Sequence, residues 1–132
     1  MLVYFGYTHC PDACPTALQD MANALDLLPP GQRRNLALVF VTVDPERDTP
    51  SVMKSYVGSF EAPIAALSGT AEQIAKVARE YRVYYAKHKR EDGYDMDHSS
   101  IIYVMDPRGR FVTNFTHESS PEQIAAKLRS LV

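Results

Sequence analysis

The chain has only two cysteines, and both fall in one short segment, Thr8-His9-Cys10-Pro11-Asp12-Ala13-Cys14-Pro15. Two are too few for a disulfide framework. No second pair exists to complete the four-ligand set of a structural zinc site. The spacing also lacks the C-x-x-C form of a thioredoxin-type redox pair, having one residue too many. Equally missing is any run of the ~20 apolar residues needed to cross a bilayer. The longest apolar run, Leu36 to Val43, is broken at Thr42 and has the length of a buried strand. No charged leader precedes Met1-Leu2-Val3-Tyr4-Phe5, so no targeting signal gives the compartment. Positive charge is not in excess: 14 Lys and Arg stand against 16 Asp and Glu, a net charge of −2, which leaves no electrostatic footprint for nucleic acid. Internal repeats, linkers and low-complexity segments are absent too.

What remains is the composition of an ordinary globular protein, 45% hydrophobic and 23% charged over 132 residues. That length predicts one domain, residues 1–132, able to bury roughly two-thirds of its unfolded surface. Leu2 to Tyr7 reads as a strand, and its start so near the first residue predicts further sequence upstream. Pro15 to Leu28 has helical spacing at Ala17, Leu18, Met21, Ala22, Leu25 and Leu28, and Pro29-Pro30-Gly31 ends it. Leu36 to Val43 predicts a strand covered on both faces. Three more helix starts follow. Thr49-Pro50 joins a capping hydroxyl to a proline in the first turn. Thr70-Ala-Glu-Gln73 and Ser120-Pro-Glu-Gln123 are capping boxes. Ile64 to Leu67, Val83 to Ala86, Ser100 to Met105 and Arg110 to Phe115 predict strands, the last two a hairpin turned at Asp106-Pro107-Arg108-Gly109. The order βα, βα, β, α, ββ, α predicts an α/β sandwich with a mixed sheet. The basic cluster Lys87-His88-Lys89-Arg90, beside Glu91 and Asp92, reads as a solvated loop, with a docking surface for an acidic partner as the lesser alternative.

The chemistry lies with the cysteines. Pro15 is comfortable only in the first turn of a helix, which puts Cys14 at or beside the N-cap and Cys10 on the loop from the first strand. The helix N-terminus favours thiolate over thiol there. Inert buried cysteine is the plain alternative, but two following prolines and the polar His9 and Asp12 argue against it. Cysteines four apart in a compact turn can close a disulfide. They can also hold one metal between two soft thiolates, a set that favours Cu(I). A third ligand would come from His9, His88, His98 or His117. Any of them is more often a surface or structural residue, and spacing does not choose among them. Asp97, or a backbone carbonyl, could orient the His98 ring.

Four segments, "YFGYTHCPDACPTAL", "VTVDPERDTP", "LSGTAEQIAKVAREYRVYY" and "MDHSSIIYVMDPRGRF", resemble the Sco/SenC family of copper-binding proteins, in the family's order and over the whole chain. The resemblance implies a thioredoxin-like three-layer sandwich with a mixed central sheet. It implies one copper per chain, Cu(I) or Cu(II), bound by Cys10, Cys14 and His98, the histidine lying on a loop that faces the cysteines. Asp97 would orient the histidine, and Met96 would shape the site or simply pack. The family assists assembly of the binuclear copper site in cytochrome c oxidase subunit II, as copper donor, as thiol reductant, or both. That implies subunit II and an upstream periplasmic copper donor as partners. It implies an anchored protein of the bacterial periplasm, ahead of the mitochondrial intermembrane space. The family's anchor and N-terminal β-hairpin are not found before the first strand, so membrane contact is expected only through an anchor outside this chain. The alternatives are a metal-free thiol–disulfide oxidoreductase or peroxiredoxin-like enzyme using Cys10 and Cys14, and a copper-responsive redox sensor.

Overall fold

A computed structural model describes residues 1–9, 13–60, 62–90, 93–98, 100–116 and 118–131, without the side chains of Ala13, His88, Arg90, Asp95, Asp97 and Leu131. The elements in order are β1 (Leu2–Gly6), α1 (Ala13–Asp26), α2 (Pro30–Arg33), β2 (Leu38–Thr42), α3 (Pro50–Val57), β3 (Ile64–Leu67), α4 (Ala71–Tyr81), β4 (Tyr85–Arg90), β5 (Gly93–His98), β6 (Ile101–Met105), β7 (Phe111–Thr116) and α5 (Pro121–Leu131). Five strands form one sheet in the order β3-β2-β1-β6-β7, and β4 and β5 form a separate two-stranded sheet.

The larger sheet is mixed. β1, β2 and β3 run parallel, whereas β6 is antiparallel to β1 and β7 to β6. All five residues of β1 and all five of β2 are buried, as expected of strands covered on both faces. One face carries Tyr4 and Phe40, paired across β1 and β2, with Tyr56 of α3 on Phe40 at 5.6 Å between ring centroids. The other carries Phe5, which meets Tyr81 of α4 at 5.2 Å and Tyr103 of β6 at 6.1 Å, both edge to face. α1 packs on β1 and on α5. Helices thus cover both faces of a mixed sheet, the expected three-layer thioredoxin-like arrangement.

The helix starts behave as their sequences predict. Thr70 and Gln73 exchange both capping-box hydrogen bonds, at 2.9 and 3.1 Å. Ser120 and Gln123 do the same at 2.8 and 3.2 Å. Val52 N donates to the Thr49 hydroxyl at 3.4 Å. Two expectations need correction. Pro29-Pro30-Gly31 ends α1 but also starts a helix, α2, because Pro30 is preorganised for the first helical position. The basic cluster is not a loop. Residues 87–90 belong to β4, which pairs antiparallel with β5, a strand the sequence pattern did not reveal. The hairpin is stabilised by cross-strand pairing rather than by an apolar run, so hydrophobic periodicity missed it.

Candidate metal centre

The strand directions explain where a site forms. β1 and β2 are parallel, so both end at the same edge of the sheet, at Gly6 and Thr42. β6 is antiparallel to β1 and starts at that edge, which brings the end of β5 there as well. The C-terminal ends of parallel strands are where α/β sheets place their sites.

α1 opens at Ala13, which puts Cys14 in its first turn, one step inside the position expected from Pro15. Cys14 is fully buried. Its sulfur lies over Gly6 at the end of β1, where any side chain would collide: a Cβ at Gly6 would sit 2.5 Å from Sγ. His98, expected on a loop, is instead the last residue of β5, paired with Tyr85 of β4, and is half-buried. Its Nε2 stands 3.4 Å from Cys14 Sγ, although the two residues are 84 apart in the chain. The rings of Tyr4 and Tyr7 meet the imidazole edge to face, at 6.0 and 5.8 Å between centroids, and hold its plane.

That pair fits a soft metal. Metal–sulfur and metal–nitrogen bonds of ~2.3 and ~2.0 Å place two ligands of one ion about 3.5 Å apart at a tetrahedral angle. Thiolate and imidazole are the donors that suit copper. The other two members of the expected site cannot be placed. Cys10 lies outside the described residues, and so does the side chain of Asp97. Of the remaining histidines, His9 is exposed, as expected. His88 stands on β4 with its side chain outside the described set, and His117 lies outside it altogether. Met96 is buried in the hydrophobic core, in line with a packing role.

Sequence reasoning missed the carboxylates behind the pair. The segment from Asp44 to Asp48 follows β2 at the site edge, and both aspartates are buried. Asp48 accepts from Thr8 N at 3.0 Å, from the Thr42 hydroxyl at 2.7 Å and from the Thr8 hydroxyl. Asp44 accepts from Arg47 Nε and from the Tyr94 hydroxyl, each at 2.6 Å. Burial, with the bond to Asp44 second, pushes the Tyr94 phenol up to about 12. The His9 ring and these two carboxylates offer ligand atoms within 4.8 Å of one another. Both aspartates are already engaged by protein donors, so the cluster acts as a hydrogen-bond hub. The available signal was the pair of aspartates four apart, directly after an apolar strand.

Comparison with known proteins finds relatives of this chain. The family model described as SCO1/SenC matches residues 1–132. The mitochondrial SCO2 homologue of Bos taurus is 42% identical over 98% of this chain and 50% of its own length. A SCO2-like protein of Rickettsia felis is 38% identical over 97% of this chain and 63% of its own. The chain therefore spans about half to just under two-thirds of these curated relatives. Bradyrhizobium japonicum ScoI, solved with copper bound, superposes with a TM-score of 0.90 at 45% identity, over 99% of this chain and 83% of that one. A more distant structure, 23% identical with a TM-score of 0.70, is of BsSco, described as one of the Sco family of cytochrome c oxidase assembly proteins and as having a disulfide switch. No described helix is long and apolar enough to cross a membrane.

Proposed function

This chain belongs to the SCO1/SenC family, and from that premise we propose that it is a copper-binding assembly protein, holding one copper as cargo on Cys10, Cys14 and His98. The observation that carries the reading is the 3.4 Å approach of Cys14 Sγ to His98 Nε2, two copper-type donors brought together from distant segments. The copper-loaded state of the ScoI neighbour supports it. Cys10, four residues before Cys14 in the sequence, supplies the second sulfur. Two thiolates and one imidazole suit Cu(I) while leaving it open to an incoming ligand, which transfer requires. The recipient is the binuclear copper site of cytochrome c oxidase subunit II, with a periplasmic donor upstream. The relatives' bacterial and mitochondrial origins support a bacterial periplasmic or mitochondrial setting.

Titration of the reduced protein with Cu(I) tests this reading. One equivalent should bind tightly to wild type. Cys10→Ser and Cys14→Ser should lose most of that affinity, and His98→Ala about tenfold or more, the cost of one ligand. Wild-type affinity in His98→Ala would sink the three-ligand site.

One observation favours a second reading, thiol–disulfide exchange by Cys10 and Cys14. Cys14 stands in the first turn of α1 beside an imidazole, and both features favour a nucleophilic thiolate. The disulfide switch of BsSco is in keeping with it. Reduction of a model disulfide at a catalytic rate without metal, lost in Cys10→Ser and in Cys14→Ser, would favour this account over copper delivery.

A further inference from the structure

His98 reaches Cys14 from a hairpin that belongs to its own sheet, so ladder bonds to the main sheet do not fix its position. Other contacts do. Alternation along β5 puts Tyr94, Met96 and His98 on one face. The Tyr94 hydroxyl donates to Asp44 Oδ1 at 2.6 Å. The Arg47 guanidinium lies 3.8 Å from the Tyr94 ring centroid, while its Nε donates to the second oxygen of Asp44 at 2.6 Å. Lys87 Nζ, across the hairpin, stands 4.2 Å from the same ring centroid and 3.3 Å from Glu46. Arg47 also lies 5.8 Å from the ring of Tyr7, which itself touches the His98 imidazole. At the far end of the same turn, Asp48 grips Thr8, which follows β1 and stands two residues before Cys10 in the sequence. One short turn therefore holds Thr8, just after β1, with one carboxylate and the histidine hairpin with the other.

We propose that Tyr94 and Asp44 are the positioning pair for His98: their hydrogen bond sets the β4–β5 hairpin on the Asp44–Asp48 turn at the distance where Nε2 meets the Cys14 sulfur. Asp44 is only 3% exposed, so water does not readily replace a lost donor. Cation–π contacts from Arg47 and Lys87 keep the Tyr94 ring in place, and the hydroxyl supplies the directional link. The consequence for metal binding rests on the copper reading above; the positioning itself does not.

Tyr94→Phe removes the hydroxyl and keeps the ring. The metal-free variant should melt within a few degrees of wild type. Its Cu(I) affinity, measured by competition with a chromophoric chelator, should fall about tenfold, the worth of one charge-assisted hydrogen bond. Added to His98→Ala, the substitution should cost nothing more, because its effect runs through that ring. An equal loss in the His98→Ala background, or no loss in wild type, overturns the proposal. The His98 ring resonances of the metal-free protein provide a second readout, and they should shift between wild type and Tyr94→Phe. Unchanged resonances overturn the positioning role. Absence of copper binding by wild type is the separate failure of the copper reading, and the resonances then decide the positioning alone. Asp44→Asn, which keeps an acceptor oxygen, should give a smaller loss of the same kind, and a larger loss than Tyr94→Phe overturns the hydrogen bond as the link.

Discussion

Gly6 is the residue at which sequence, packing and site meet most tightly. It ends a fully buried strand, and the space its missing side chain leaves is taken by the Cys14 sulfur. Gly6→Ala puts a methyl 2.5 Å from that sulfur and close to Phe40 and Tyr4. Overpacking of this kind costs about 1–3 kcal/mol. The expected outcome is a stability loss of that size by denaturant titration, together with a fall in Cu(I) affinity, as the sulfur moves off the line to His98. A stability loss with unchanged affinity would show that Cys14 is placed by its helix alone. At this scale the sequence was partly legible. Cys14 could be put at a helix start because Pro15 constrains its own turn. Spacing alone could not choose the partner of that sulfur, since His98, His9, His88 and His117 look alike without the tertiary contact; only the family resemblance pointed to His98. Gly6 gave no sign, because its role is a volume left open to a residue eight positions later.

Elements with local signals were the readable ones. The capping boxes at Thr70 and Ser120 formed as written, since each needs only four consecutive residues. The β4–β5 hairpin was unreadable for the opposite reason. Its strands are polar and charged, and it is fastened by contacts to the Asp44–Asp48 turn some 50 residues earlier. The alternation of Tyr94, Met96 and His98 was the available clue. Tyr94 also gives this element a pH response. Its phenol has an ordinary value near 10 and is raised to about 12 in the fold. The folded chain thus holds that proton more tightly than the unfolded one. The associated stability is complete below pH ~10 and is lost as pH rises towards 12. Thermal melts across that range should show a decline that Tyr94→Phe reduces, and absorbance titration should show a late-ionising tyrosine that Tyr94→Phe removes.

The whole molecule separates its stability from its site. Leu128 of α5 is buried beside Met1, Leu36 and Val104, at the edge of the sheet opposite Gly6. Leu128→Ala should cost about 2–5 kcal/mol by the cavity it leaves, a large part of a typical total. Cu(I) affinity of the folded fraction should stay unchanged, and a parallel loss of affinity would refute this separation. The α/β class and mixed sheet were legible because alternating strand and helix patterns leave few topologies. The convergence of Cys14 and His98 follows from that topology rather than from any local pattern. It also imposes a timetable. A ribosome adding about 5–20 residues each second releases Cys14 several seconds before His98, 84 residues behind. Throughout that interval Cys14 exists without the imidazole nitrogen it meets in the fold, and β6 has not closed the sheet against β1. The approach of the Cys14 sulfur to the His98 ring is therefore an event in the life of the finished fold.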